Sequence, residues 1–148
     1  MAGIGKIFSA MDINVSALQA QRQRIDVIDS NLANAESTRA GGRVTAYRRQ
    51  QVVFEAVMDD VESGASSDIP WGGVRVSEQT TDPTRKDMQV YLPGHPDADS
   101  GGYVKMPDIR PAEEMADLMA ASRSYEANAA AFKITRSMFQ RALELGKA

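Results

Sequence analysis

Cysteine is absent from the 148 residues, and histidine and tryptophan occur once each. Without cysteine the chain has no disulfide framework, no thiolate nucleophile and no cysteine-ligated metal site. Aromatic residues account for only 6% of the composition, and the apolar residues gather toward the two ends of the chain. The length suits one compact domain, but this distribution argues against a single core that draws on the whole chain.

The charge and hydropathy patterns disfavour two kinds of binding. The net charge is −3 with 25% charged residues, and no block is basic enough to follow a phosphate backbone. No stretch approaches the ~18–20 consecutive apolar residues that a membrane span needs. Lys6 is not followed by a signal-peptide core, because Asp12 and Asn14 interrupt the apolar run. We therefore expect no nucleic-acid partner, no direct membrane insertion and no cleaved secretory signal.

The clearest pattern is an apolar stripe near the C-terminus. Alternating steps of three and four residues connect Met115, Leu118, Ser122, Tyr125, Ala129, Phe132, Arg136, Phe139 and Leu143. A spacing of about 3.5 residues places side chains along one narrow face of a helix. Pro111 suits the first helical position, Glu113 and Glu114 suit the positive end of the helix dipole, and Gly146 suits the end. The sequence therefore predicts one helix over residues 111–145.

A matching stripe begins near the N-terminus. The same spacing connects Ile4, Phe8, Met11, Val15, Leu18, Arg22, Ile25, Asp29 and Leu32. Ser9 followed by Asp12 resembles a capping box. The first helix therefore begins either near Ser9 or earlier, with both residues on its polar face.

Long amphipathic helices at both ends of the chain predict an antiparallel coiled-coil pair, because the connection between them is long enough to return the chain. We expect an α+β fold, mainly α, with a small irregular β region between the helices. Its parts would be an N-terminal assembly helix (residues 1–38), a small β and loop domain (39–110) and a C-terminal assembly helix (111–148). One pair of helices leaves each stripe half covered, which predicts packing against further chains.

The middle of the chain predicts short strands. Residues 44–57 are rich in β-compatible side chains, and residues 74–76 and 88–92 alternate as two strands with a turn between them. Residues 93–102 are rich in glycine, proline and aspartate and predict a loop. A brief extended piece at residues 103–106 leads toward the last helix.

Polar side chains surround the end of the first helix. Asn31, Asn34 and Thr38 follow one another there, and such residues compete for backbone hydrogen-bonding groups. We expect a helix-exit turn in which Asn31 and Asn34 cap the helix and do not bind a ligand.

Residues with catalytic chemistry are few. His95, Asp97 and Asp99 lie together in the predicted loop, and a metal site or a metal-dependent enzyme is one interpretation. Their spacing matches neither an EF-hand nor a zinc motif, so a structural turn is favoured. The glycine pairs lack the strand–loop–helix context of a phosphate loop. The sequence thus indicates no catalytic residue, metal, cofactor or small-molecule substrate.

Several stretches resemble the bacterial flagellar axial proteins, the rod and hook family. Residues 18–38 are similar to the N-terminal signature of that family, and residues 113–128 and 133–143 are similar to its C-terminal helix. Residues 47–50 and the loop at 93–104 resemble the proximal-rod members. Where related proteins usually continue the helix-exit turn with proline and glycine, this chain has arginine and alanine.

The resemblance implies a structural subunit of the basal-body rod that polymerises into a tube and carries torque. It further implies export without cleavage and a periplasmic position. The expected partners are other copies of the chain, other rod proteins and, in transit, the flagellar export apparatus. We assign the assembly interface to ten stripe residues: Met11, Val15, Leu18, Ile25, Leu32, Met115, Leu118, Tyr125, Phe132 and Phe139. The alternative function is a non-flagellar coiled-coil adaptor.

Overall fold

The computed structural model describes residues 2–58, 72–82 and 84–146. Within these residues, two long helices precede and follow four strands along the chain, in the order α1 (Ala2–Ala33), β1 (Gln50–Met58), β2 (Gly72–Thr81), β3 (Met88–Tyr91), β4 (Tyr103–Met106) and α2 (Pro111–Leu145). The strands form two separate sheets, β1 with β2 and β3 with β4. This order confirms the prediction of two terminal helices with a small β region between them.

Helix α1 begins at Ala2, so Ser9 and Asp12 lie inside it and do not mark its start. Of the two predicted starts, the earlier one is therefore correct. The helix ends after Ala33, where the backbone N–H of Asn34 still donates to the carbonyl of Ser30 at 3.1 Å. A turn follows directly.

Helix α2 occupies the predicted range, Pro111–Leu145. The backbone N–H groups of Glu113 and Glu114 donate to the carbonyl of Arg110 at 3.0 and 3.1 Å. Proline at the first position loses nothing there, because the first N–H groups of a helix have no partner within it. At the other end the N–H of Gly146 donates to the carbonyl of Ala142 at 3.1 Å, and the helix stops.

Strands β2 and β3 lie close in sequence but do not pair with each other. The N–H of Asp82 donates to the carbonyl of Arg49 at 2.9 Å, which extends the contact of β2 with the segment that enters β1. Strand β3 instead pairs antiparallel with β4, with Val90 opposite Val104. Val104 is 1% exposed, so this face of the hairpin points into a core.

The chain groups into two compact units. The first, which we call the end unit, comprises Met1–Gln23, Val53–Glu78 and Ala121–Ala148. The second, the junction unit, comprises Arg24–Val52 and Gln79–Ala120.

In the end unit β2 lies against α1. The N–H of Val74 donates to the hydroxyl of Ser16 at 3.1 Å, and that hydroxyl donates to the carbonyl of Ile13 at 2.8 Å. A Cβ on Gly73 would lie 2.8 Å from the same hydroxyl oxygen. Glycine at this position therefore permits the close approach of strand to helix.

The junction unit has an apolar core drawn from all of its segments. Its buried apolar side chains are Val27 and Ile28 of α1, Ala46 before β1, Val104 of β4 and Ile109 before α2. Val27 and Ile28 lie beside the predicted stripe of α1, whose members Ile25 and Leu32 are only partly covered.

The loop between β3 and β4 requires glycine at residue 102. Gly102 has a φ of 79°, and a Cβ there would lie 3.0 Å from Cε2 of Tyr91 and 3.2 Å from Cβ of Pro93. We expect Gly102→Ala to lower the free energy of unfolding by about 1–2 kcal/mol, since a side chain disfavours this left-handed conformation. Urea denaturation followed by circular dichroism measures the change.

Gly94→Ala is the matched control in the same loop. A Cβ there would meet no atom within 4 Å, and the φ of Gly94 is not positive. Its free energy of unfolding should stay within about 0.5 kcal/mol of the original value. Equal losses for the two variants would contradict the role assigned to Gly102.

Candidate assembly site

A buried polar cluster joins three segments of the junction unit. Glu114 of α2 is 0% exposed and Asn31 of α1 is 1% exposed. The side-chain amide of Asn31 donates to Oε2 of Glu114 at 3.2 Å. From the segment before β1, Nε of Arg49 donates to Oε1 of Glu114 at 2.6 Å. Both carboxylate oxygens therefore have a donor.

Asn31 also holds the start of β1. Its Nδ2 donates to the carbonyl of Gln50 at 2.8 Å, and its Oδ1 accepts the N–H of Gln50 at 2.9 Å. The hydroxyl of Tyr47 donates to the same Oδ1 at 3.2 Å. The side-chain amide thus bonds Gln50 as the backbone of a neighbouring strand would. Asparagine alone offers a donor and an acceptor at this reach.

Arg49 distributes its charge over three carboxylates. Besides its bond to Glu114, its Nη1 lies 3.6 Å from Oδ2 of Asp82 and its Nη2 lies 3.6 Å from Oδ2 of Asp117. The side chain of Arg49 is 16% exposed. Arg24 of α1 lies 4.0 Å from Asp117. Asn31 contacts Glu114, whereas Arg24, which lies earlier in α1, contacts Asp117, which lies later in α2. In the junction unit, α1 and α2 therefore run in opposite directions.

The hydrogen bonds and ion pair of this cluster hold its three segments together. A carboxylate removed from water is tolerated only when charge and hydrogen bonds compensate it. Arg49 supplies the charge, and Arg49 and Asn31 both supply hydrogen bonds. The cluster therefore joins α1, α2 and the segment before β1.

A second polar contact fixes the helix-exit turn. Thr38 donates through its hydroxyl to Oδ2 of Asp97 at 2.8 Å, and Nε of Arg39 donates to Oδ1 at 2.9 Å. The bonds from Arg39, and next that from Thr38, hold the pKa of Asp97 below its usual range. Asn34 acts within the turn, where its amide donates to the carbonyl of Ser30 at 2.9 Å.

The residues considered for a metal site serve the loop itself. Nδ1 of His95 accepts the N–H of Asp97 at 3.1 Å, and the carboxylate of Asp97 is bound by Thr38 as described. Oδ1 of Asp99 accepts the N–H groups of Gly101 and Tyr103 at 2.8 and 2.9 Å. In the described part of the chain, no group of three or more such side chains could hold a metal ion.

The ten residues assigned to the assembly interface lie at partly or fully exposed positions. Val15, Tyr125 and Met115 are exposed, at 37%, 39% and 51%. The other seven are partly covered: Met11, Leu18, Ile25, Leu32, Leu118, Phe132 and Phe139. None of the ten belongs to the buried core. Their exposure leaves apolar surface available for a neighbouring chain.

A second row of exposed apolar side chains lies on α2. Met119, Ile134 and Met138 are 60%, 61% and 57% exposed, and Leu145 is 80% exposed. These four side chains lie outside the ten residues assigned to the interface. Ile134 and Met138 are four residues apart, a spacing that places both on one face of the helix.

Sequence reasoning missed the members of the buried cluster apart from Asn31. Glu114 follows Glu113 in the first turn of α2, where either carboxylate suits the helix dipole. Only the fold distinguishes them, because it buries one and leaves the other with a side chain 43% exposed. Arg48 and Arg49 present the same ambiguity.

Within the described residues, no helix combines the length and apolar character needed to cross a membrane. Both long helices contain charged residues among the apolar ones, for example Arg22, Arg24 and Asp26 in α1. This agrees with their being only partly apolar.

Two family models match the chain. Residues 11–40 match the model described as flagella basal body rod protein. Residues 100–145 match the model described as flagellar basal body rod FlgEFG protein C-terminal. The first match contains Asn31 and the helix-exit turn, and the second contains Glu114.

Curated relatives match nearly the whole length. The chain is 41% identical over 150 residues to the flagellar basal-body rod protein FlgC of Bacillus subtilis, which covers 95% of this chain and 98% of the relative. The proteins of that name from Aquifex aeolicus and Escherichia coli are 43% and 42% identical over 141 residues, with the same coverage.

Removing the buried carboxylate should be far more harmful than removing its neighbour. We expect Glu114→Ala to lower the free energy of unfolding by roughly 3–5 kcal/mol, because it leaves Arg49 largely buried without its closest partner. Glu113→Ala removes exposed ion pairs with Arg85 and Arg110, which are weak because water screens them, so its loss of stability should be much smaller. Urea denaturation compares the two variants, and similar losses would contradict the structural role of the cluster.

The contact at Asp97 predicts a dependence on pH. Because its pKa is lowered in the folded chain, the stabilisation is present above the ordinary aspartate pKa of about 3.9 and is lost as the pH falls below it. Asp97→Asn should therefore be less stable than the original chain at pH 7, with the difference narrowing on acidification toward pH 3. Thermal unfolding at several pH values measures this, and a difference independent of pH would argue against it. Asp26→Asn, at an exposed position, is the control.

Proposed function

Because the chain belongs to the FlgC family of flagellar basal-body rod proteins, we propose that it joins its neighbours through the apolar faces of its two terminal helices. The chain is a structural subunit of the basal-body rod. Its relatives are structural rod proteins, and no catalytic family is indicated. The finer statements of the proposal concern where the subunit lies and how it assembles.

The observation that carries the proposed assembly is the exposure of apolar side chains on α2. Met115, Met119, Ile134 and Met138 are each more than half exposed. Full burial of a side chain of this size contributes roughly 1.5–3 kcal/mol. Several such contacts per subunit would drive association, whereas one exposed row in an isolated chain promotes nonspecific contacts.

The antiparallel coiled-coil pair belongs to this proposal. In the junction unit α1 and α2 already run in opposite directions, as Asn31–Glu114 and Arg24–Asp117 indicate. A coiled coil continued beyond that unit would combine the stripes of both helices into one surface, which neighbouring subunits then cover. Other copies of this chain and other rod proteins are the proposed neighbours.

The proposed position of the subunit is the proximal rod in the periplasmic space. We further propose that the chain is exported through the flagellar apparatus without cleavage and that it transmits torque in the assembled rod. Support for this comes from the family and from the resemblance of residues 47–50 and 93–104 to proximal-rod members. No observation of this chain favours the alternative of a non-flagellar adaptor.

A charge in the middle of the proposed seam should prevent assembly. Phe132 is partly covered in the isolated chain and would be fully enclosed by a neighbour. An unpaired carboxylate enclosed there costs several kcal/mol (roughly 2–7 even for a neutral polar group). We expect Phe132→Asp to abolish swimming in soft agar and to be absent from purified basal bodies, when expressed in a strain that lacks the native gene.

Lys133→Asp is the matched control, since it introduces the same side chain at the adjacent exposed position. It should retain swimming, and circular dichroism should show similar helix content for both variants. Wild-type swimming by Phe132→Asp would contradict the seam. Absence of the unaltered chain from basal bodies would contradict the proposed function as a whole.

A further inference from the structure

An open groove of about 560 Å³ lies on the junction unit, and its lining is mostly charged. Arg48, Arg85, Lys86 and Lys105 line it together with Asp82 and Asp87. We call it the basic groove.

Some of these charges are already paired. Arg85 donates to Oε2 of Glu113 at 2.7 Å, and Asp82 lies 3.6 Å from Arg49. By contrast, Arg48, Lys86 and Lys105 are exposed, and their side chains have no hydrogen bond or ion pair among the described residues.

The alternation of extended backbone explains why two of these cations face outward. Lys105 follows the buried Val104 in β4 and lies opposite Gln89 on the outer face of the hairpin. Arg48 precedes Arg49, whose side chain points into the buried cluster. Successive side chains of an extended segment point to opposite sides. The outward cations are thus fixed by the same segments that build the core.

Three exposed acidic residues of the same unit do not line the groove. Asp26 and Asp29 are one helical turn apart on α1, and Glu36 follows in the helix-exit turn. All three are exposed, and none has a partner among the residues that the structure describes. Asp26 and Asp29 face away from the core because Val27, Ile28 and Asn31 occupy the inner side of the helix. We call these three residues the acidic ridge.

No described contact joins the acidic ridge to the basic groove of the same chain. We propose that the basic groove of one copy receives the acidic ridge of a second copy in the assembly. Two grooves facing each other would bring like charges together, and so would two ridges, so a symmetric dimer is disfavoured. A groove-to-ridge contact is heterologous: each copy still presents a free groove or a free ridge to the next copy, so the same contact can repeat along the assembly. This inference rests on the proposed function, which supplies neighbouring copies.

The contact orients subunits more than it holds them together. Exposed ion pairs are individually weak and are screened by salt within about 10 Å at 0.1 M ionic strength. Complementary charges nevertheless guide encounters and penalise wrong registers. The apolar stripes would then supply affinity, and the groove and the ridge would select the neighbour's position.

Reversing the charges of each surface tests the pairing. Arg48→Glu/Lys105→Glu changes the groove, and Asp26→Lys/Asp29→Lys changes the ridge. Each variant alone should lower the amount of chain in purified basal bodies by roughly tenfold, because like charges then meet. With all four changes in one chain, the amount should recover to within about threefold of the original, since opposite charges face each other again.

A control separates pairing from net charge. Glu78→Lys/Glu126→Lys, placed in the groove variant, restores the same net charge at exposed positions outside the ridge. This combination should not recover. Recovery with the control, or no recovery with the reversed ridge while each chain keeps its native circular dichroism, would overturn the proposal.

The absence of native cysteine permits a direct test of which chains meet. Asp29→Cys/Lys105→Cys in one chain, treated with a bis-maleimide in intact basal bodies, should give dimers and higher multimers on a denaturing gel. Glu126→Cys/Lys105→Cys should not. If the gel shows only monomers although the basal bodies contain the variant, the proposed contact is overturned and the rod function still stands. An original chain missing from basal bodies would instead contradict the rod function.

Discussion

The buried carboxylate of Glu114 constrains the junction unit more than any other group. It is fully enclosed, so its oxygens must find donors inside the protein, and they find them on Asn31 and Arg49. Those two donors come from α1 and from the segment before β1. Satisfying one side chain therefore fixes the relative position of a helix end, a helix start and a strand. The neighbouring apolar side chains then pack around an arrangement that is already specified.

In this chain, the residues that stabilise the junction unit differ from the apolar residues that are exposed on α2. The polar cluster and a small apolar core order the junction unit, while the larger apolar side chains of α2, such as Met119 and Ile134, stay at the surface. These exposed side chains of α2 contribute little to the packing of the chain itself. They remain available for contacts with other chains.

The periodicity of the sequence predicted the two helices well, and α2 has the predicted bounds because Pro111 and Gly146 are strong local signals. The strands were predicted, but not that β2 and β3 lie in different sheets, since pairing depends on contacts distant in sequence. Asn31 was recognised as structural, yet its bonds to Gln50 and Glu114 had no local signature. Local sequence patterns predict helices and strands. Which of two adjacent glutamates, Glu113 or Glu114, becomes buried is decided by the tertiary fold.

The bond between Asn31 and Glu114 spans 83 positions of the chain. Closing so long a loop costs conformational entropy, and nothing compensates that loss until both ends are present. During synthesis, which proceeds from the N-terminus, the bond cannot form until residue 114 is present. The buried cluster is therefore expected to form late, since it joins residues that are distant in sequence.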